Sequence, residues 1–246
     1  MAAQSRGDEG LRQRFADITT RIRIAAGKAK RSPVDIRLIA ITKTHPASLI
    51  KEALALGASD FGENRVQEAE GKILEVGRQN LSWHLVGHLQ ANKARRAVKL
   101  FDVIHSLDSP ELAQRLDRLV EEEGRGPLPV LVQVDLGQET TKSGIDPDHL
   151  PKLTERLATC ENLKLIGLMT LPPFFENPDD TRPFFRQLRE LRDELAVQGH
   201  FGDGRGELSM GMTHDFEVAI EEGSTMVRIG TAIFGERQKV SQNTAD

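Results

Sequence analysis

Residues 36–42 read IRLIAIT and run directly into Lys43. An almost unbroken apolar and β-branched run of that length suits a strand buried on both faces and is too short for a helix. The period then changes. Ile50, Ala53 and Leu54 mark a helix, and Gly57 is placed to stop it. Upstream, Leu11, Phe15, Ile18, Ile22 and Ala25 recur at spacings of three or four and predict an amphipathic helix over about residues 8–30. Downstream the same switch repeats. Strand-like runs fall at 59–62, 83–86, 102–107, 129–135 (PVLVQVD), 164–169 (KLIGLM), 208–210 and 226–229 (MVRI). Helical patterns lie between them at 66–76, 91–100, 110–123, 146–159, 179–198 and 216–220, with a short segment near 232–236. Ser109 before Pro110 reads as an N-cap followed by proline at the first helical position.

Strands that alternate with helices pair in parallel through crossovers. Eight such units in a chain of 246 residues predict an α/β fold, a single (β/α)8 barrel with an extra N-terminal helix. An open doubly wound sheet is the alternative. No unit is left over, and no strand looks charged or proline-blocked as an edge would. One domain is expected over residues 1–246, with a flexible tail at about 238–246.

Composition narrows the function. Lys plus Arg is 33 and Asp plus Glu is 37, a net charge of −4, which argues against a protein that works by neutralising nucleic-acid phosphates. A single cysteine excludes an intrachain disulfide. The opening MAAQSRGDEG has no apolar core of a signal peptide, and no apolar run approaches a membrane span. A cytoplasmic protein without nucleic-acid or membrane partners is expected. The chain has no tyrosine.

In a barrel of this kind chemistry gathers at the C-terminal ends of the strands. Lys43 stands at the first such end. Burial there would favour the neutral amine that forms a Schiff base; the plainer reading is a lysine reaching out to solvent. Ser209, Met210 and Gly211 lie where the seventh strand turns toward a helix that Thr213 or Asp215 could cap, so the turn suits a phosphate or ordinary capping. Gly230 and Thr231 close the eighth strand, and barrels often hold phosphate with the loops after strands seven and eight. Arg228, inside the last strand, points into the barrel or onto a helix, where a buried salt bridge is the plain expectation. Asn64 follows Gly62 and Glu63 and could serve a ligand oxygen or a helix cap. His84 and His88 are four apart on a strand-like pattern, which breaks the helical presentation a metal pair needs. The glycine-rich stretch 202–206 (GDGRG) follows a helix and fails the dinucleotide fingerprint. Cys160 reads as an inert thiol. Lys93, Arg95, Arg96 and Lys99 form a solvated helix face or a surface for an anionic partner.

Longer strings add to this. IAITKTHPASLIKEALALGASDFGENRVQEAEGKI, WHLVGHLQANK, the TKSGI of Thr141 to Ile145, IGLMTLP and LSMGMTHDFEVAIEEGSTMVRIGTAIFGER occur in order between about Arg31 and Arg237. They resemble the pyridoxal phosphate homeostasis proteins (proline synthase co-transcribed homologues), a family similar to the N-terminal barrel of alanine racemase. The resemblance implies that Lys43 forms the Schiff base with pyridoxal 5′-phosphate (PLP). It implies that Ser209, Met210, Gly230 and Thr231 contact the phosphate, that Arg228 faces the pyridine nitrogen, and that Asn64 lies near the cofactor. His45 and Arg65 stand where the family often has lysine or glutamine and an aromatic residue. Thr213 stands where the family has serine and keeps the hydroxyl.

An arginine beside the pyridine nitrogen favours the unprotonated ring, a poor electron sink. A racemase also needs a second base on the opposite face of the ligand, and full-length racemases supply a tyrosine from a further C-terminal domain. The chain has no tyrosine and stops soon after the last match. The expected function is a non-catalytic carrier that buffers PLP and passes it to apo-enzymes, with a monomer expected. A racemase-like enzyme is the alternative, and an interaction protein acting through the helix near Lys93 is the third reading.

Overall fold

The computed structural model describes residues 2–137 and 143–236. Thr141 and Lys142 of the TKSGI stretch, and the tail expected at 238–246, lie outside the described residues. Eight parallel strands close into a barrel in chain order: β1 (Arg37–Ile41), β2 (Asp60–Glu63), β3 (Ser82–Leu85), β4 (Val103–Leu107), β5 (Leu128–Gln133), β6 (Leu163–Met169), β7 (Glu207–Ser209) and β8 (Met226–Ile229). The ring closes where β1 pairs with β8, setting Ile39 opposite Arg228 and Ala40 opposite Ile229. A helix follows each strand: α2 (Ala47–Ala55), α3 (Val66–Val76), α4 (Ala94–Leu100), α5 (Pro110–Glu122), α6 (Leu150–Ala158), α7 (Arg182–Val197), α8 (Phe216–Glu221) and the short α9 (Thr231–Phe234).

The strands fall on the runs read from sequence, with ends shifted by a residue or two. Three helices open with a turn of 3₁₀ helix, at Ala91–Lys93, Pro147–His149 and Pro178–Thr181. The Ser109 hydroxyl accepts from the Leu112 N–H at 3.3 Å, as its cap signature predicts. Asp215 departs from that pattern. It stands before α8, but its carboxylate accepts from the upstream Met212 N–H at 2.6 Å and closes the loop after β7 instead of capping the helix.

Side chains alternate across each strand, so the sheet has two apolar layers. The outer layer packs under the helices and includes Phe61, Trp83, Phe101, Phe185 and Phe216, all fully buried. The inner layer is a separate cluster of Ile39, Ile41, Val86, Val103, Leu131, Met169 and Met226. The extra helix α1 runs from Ala2 to Lys28 and packs over α8 and α9 with Leu11, Ile18 and Ile22 buried. Arg21 grips Glu217 through two hydrogen bonds of 2.7 and 2.9 Å and lies over the Phe216 ring at 4.7 Å. Arg14 Nε donates to the Ile233 carbonyl at 2.7 Å.

Strands β6 and β7 approach so closely that a Cβ at Gly167 would lie 2.1 Å from the Glu207 carbonyl oxygen. Gly167→Ala is therefore expected to destabilise the fold by about 2 kcal/mol or more. The midpoint of urea unfolding reads this directly, and an unchanged midpoint would refute the close approach.

Candidate functional site

The C-terminal end of the ring opens into a cavity of ≈ 410 Å³. Its wall includes Lys43, Asn64, Thr213, Arg228, Gly230 and Thr231, with Ile41 and Val86 below and Leu171, Pro172, Met212 and His214 around the mouth. The inward register of each strand explains the set. Ile39, Ile41 and Lys43 share one face, as do Met226, Arg228 and Gly230, and Gly62 and Asn64. A hollow of ≈ 730 Å³ at the opposite end of the barrel is larger. Two of its arginines are engaged by the end of α8 and the segment between α8 and β8: Arg31 donates to the Ile220 and Ser224 carbonyls, and Arg189 to Glu222.

Lys43 is half-buried at the rim. The backbone on both sides of it is clamped from below. Lys72 Nζ donates to the Thr42 carbonyl (2.6 Å), to Glu63 Oε1 (2.6 Å) and to Glu68 Oε1 (2.7 Å). Glu68 Oε1 also accepts the Thr44 N–H, and Thr44 is held at φ +66°, a conformation unusual for a β-branched residue. Thr42 Oγ1 donates to Glu63 Oε1 at 2.5 Å, while Glu63 Oε2 is buried without a partner. Burial pushes Glu63 above the usual carboxylate range against the pull of Lys72. At Glu68 burial acts the same way, but Lys72 and the Thr44 N–H outweigh it and hold the group below that range.

Arg228 lies under the cavity floor. Its Nη1 donates to Ser209 Oγ at 2.6 Å and its Nη2 to the Thr170 carbonyl at 2.8 Å. Burial lowers its pKa to about 10, opposed by the charge of Asp215, so the guanidinium stays protonated at neutral pH. Within 4 Å it has no carboxylate partner among the described residues, so the expected salt bridge gives way to a hydroxyl and a carbonyl. Ser209 in turn bonds His105, which bonds His84, which reaches Asp60. Burial holds His105 well below the ordinary histidine range, and the positive charges of Arg228 and Arg37 push the same way.

Of the residues expected at the site, Lys43, Asn64, Arg228, Gly230 and Thr231 line the cavity. Ser209 and Met210 are not on that wall. β7 ends at Ser209, whose side chain follows the inward register into the barrel interior. The Met210 N–H is used by the Met226 carbonyl and its side chain is fully buried. The turn reaches the cavity only at Met212–His214, so Thr213 supplies the hydroxyl on that side. A Cβ at Gly230 would lie 3.2 Å from the Ile41 carbonyl, tight enough that glycine lets the end of β8 nest against β1. Asp60, His84 and His105 were not foreseen; the signal available was a polar residue on the inward face of an otherwise apolar strand.

The remaining features find structural uses. His84 faces the barrel interior, whereas His88 is exposed and 3.3 Å from Asp108. In the basic stretch, Arg95 pairs with Glu122 and Glu123, Arg96 with Glu70, and Lys99 with Glu123 at 3.1 Å, so three of its four charges are matched by neighbouring segments. Residues 202–206 form the turn between α7 and β7. Burial raises the pKa of the Cys160 thiol, with the charge of Asp117 adding, which disfavours the reactive thiolate. The His45 ring packs against Phe234 at 5.3 Å between centroids.

The fold is a closed parallel (β/α)8 barrel with its candidate site at the C-terminal ends of the strands, and the comparison with known proteins gives its family. The sequence profile of the alanine racemase N-terminal domain matches residues 15–238, and the chain belongs to that family. Within it, the chain is a member of the pyridoxal phosphate homeostasis protein family. It is 43% identical over 232 residues to the pyridoxal phosphate homeostasis protein of Aquifex aeolicus, covering 92% of this chain and 98% of that one. It is 42% identical over 227 residues to the protein of that name in Pseudomonas aeruginosa, covering 92% and 96%. The solved structure of PipY from Synechococcus elongatus PCC7942 with PLP bound is 40% identical, with a TM-score of 0.76, covering 92% of this chain and all (100%) of that one.

The buried histidine carries a pH signature. His105 stays neutral in the fold below the 6.5 at which a free imidazole protonates, so the unfolded chain takes up a proton that the folded chain refuses. The stability this represents is complete above pH 6.5 and is lost as pH falls below it, with a limiting slope of about 1.4 kcal/mol per pH unit from this group. His105→Gln, which cannot titrate, is expected to flatten the slope of unfolding free energy against pH in that window.

Proposed function

We propose that the chain binds PLP through the Lys43 amine and acts as a non-catalytic reservoir that maintains the cofactor and hands it to apo-enzymes. The observation that carries this reading is the convergence of Lys43 and Arg228 on one cavity at the C-terminal end of the barrel, with Thr213, Gly230 and Thr231 on the same wall. The residues present fit the cofactor. The cavity falls in the range of small-ligand sites. A guanidinium only donates hydrogen bonds and so complements a pyridine nitrogen that accepts. The hydroxyls of Thr213 and Thr231 and the open backbone at Gly230 suit a phosphate. The assignment of the phosphate to Thr213, Gly230 and Thr231, and not to the hydroxyl of Ser209, follows from that hydroxyl being held inside the barrel.

When bound, PLP supplies an aldehyde that condenses with the lysine amine and a ring able to accept electrons. Arg228 would hold the ring nitrogen as an acceptor and so weaken that electron sink. The clamp of Lys72, Glu63 and Glu68 fixes the backbone on either side of Lys43 while leaving its side chain at the rim. Asn64 lines the same cavity and would lie near the cofactor. No tyrosine exists in the chain to serve as the second base of a racemase. The homeostasis names of its relatives support the same non-catalytic reading. Among the described residues no helix is long and apolar enough to cross a membrane. We take the chain as one PLP-binding domain, working as a cytoplasmic monomer with apo-enzymes as its protein partners.

Borohydride reduction of the protein mixed with PLP, followed by peptide mass mapping, should place the label on Lys43, and Lys43→Ala should abolish it. Thr213→Val should weaken PLP binding about tenfold, the loss expected for one hydrogen bond to a charged group. A label elsewhere, or equal labelling of the alanine variant, defeats the reading. Exchange of an amino-acid α-proton with deuterated solvent, above that given by free PLP, would favour the racemase alternative.

A further inference from the structure

Five polar side chains from five strands form one hydrogen-bonded line through the barrel. Arg228 Nη1 lies 2.6 Å from Ser209 Oγ, Ser209 Oγ 2.9 Å from His105 Nδ1, His105 Nε2 2.9 Å from His84 Nδ1, and His84 Nε2 3.0 Å from Asp60 Oδ1. Ser209, His105 and His84 have no exposed surface, and Arg228 keeps 4%. Barrel interiors are ordinarily filled by branched apolar side chains. A polar line there is costly unless every member is satisfied.

The chemistry of its ends fixes the outer links. A guanidinium only donates and a carboxylate only accepts. Arg228 therefore donates to Ser209, and His84 Nε2 donates to Asp60. With neutral rings, hydrogen on Nε2 of each histidine fills all four links, Ser209 donating to His105 Nδ1. A proton added to His84 is also accommodated if His105 turns to its Nδ1–H form and Ser209, which has two lone pairs, accepts from both sides. The charged groups facing the two ends are Arg37, whose Nε is 3.7 Å from Asp60, and Asp215, whose charge acts on Arg228. Asp60 also accepts from the Ser59 hydroxyl at 2.7 Å.

We propose that Asp60, His84, His105 and Ser209 are positioning residues for Arg228, a polarised strut that fixes its guanidinium where it meets the ring nitrogen of bound PLP. The proposal rests on the reading of the cavity given above. Through the strut, Asp60 at one side of the barrel serves as a counter-charge to an arginine that has none in contact.

Two experiments test it. In the ligand-free protein, ¹⁵N-histidine NMR should show the rings of His84 and His105 hydrogen-bonded at both nitrogens. A nitrogen of either ring with the shift of an unbonded imidazole overturns the strut. The second uses PLP with His105→Gln and His105→Leu. Glutamine can accept through Oε1 and donate through Nε2, whereas leucine fills space and does neither. Leucine should weaken PLP affinity about tenfold and shift the absorbance of the lysine-bound cofactor, and glutamine should restore both. Native affinity and spectrum in the leucine variant, or equal losses in both variants that track their Tm, overturn a positioning role. If leucine prevents folding, Asp60→Asn decides: it keeps the acceptor but removes the charge, and should still move the spectrum; an unmoved spectrum refutes the proposal. Failure of the unaltered protein to take PLP on Lys43 would instead defeat the reading of the cavity and leave the NMR result standing.

Discussion

Hydrogen bonds between the first strand and the last close the ring, and they set Ile39 of β1 beside Arg228 of β8. Everything at the upper rim inherits its position from that seam. Two residues on from Ile41 is Lys43, and two on from Arg228 is Gly230, so the seam brings an amine and a guanidinium from opposite ends of the chain to one opening. The fit is close at the point of contact, where Gly230 nests against the Ile41 carbonyl. Had the sheet stayed open, the two groups would lie on different edges. Closure is therefore the condition for the site as well as for the fold.

The second constraint is electrostatic. The protein places two sets of charged and polar groups where apolar packing would have been cheaper. Lys72, Glu63 and Glu68 hold the strained backbone at Thr44, while the line from Arg228 to Asp60 runs through the barrel. Buried charge is weak evidence for stability, because desolvation consumes much of what pairing returns. Its use here is geometric. A lysine on a slack loop would sample many positions, and an arginine without fixed partners would do the same. Both are instead tethered through directional bonds to groups beneath them.

The alternation of strand and helix was legible because each element has its own period, and the barrel followed from counting units. The cavity wall was largely legible too, since active groups in such barrels stand at strand ends and Lys43, Asn64, Arg228, Gly230 and Thr231 stand there. What could not be read was pairing at a distance. Ser209 looks like a turn residue in sequence; only the fold shows its hydroxyl committed to His105, 104 positions away. His84 and His105 are separated by 21 residues and meet because β3 and β4 are neighbours. Thr213 was obscured for the opposite reason: it lies four residues beyond a more conspicuous serine, and because β7 ends at Ser209 only the hydroxyl further along the turn reaches the opening. Within one helix the pattern was readable, for Glu68 and Lys72 stand at the spacing that makes an ion pair on a single face.

Helix α1 lies outside the barrel, yet it is mechanically connected to the opening. Arg14 holds the carbonyl of Ile233, and Ile233 belongs to the same single turn of helix as Thr231 on the cavity wall. Arg21 holds α8, which begins three residues after Thr213. The two hydroxyl-bearing corners of the pocket are thus buttressed from the exterior by one long rod that no guest of the pocket would meet.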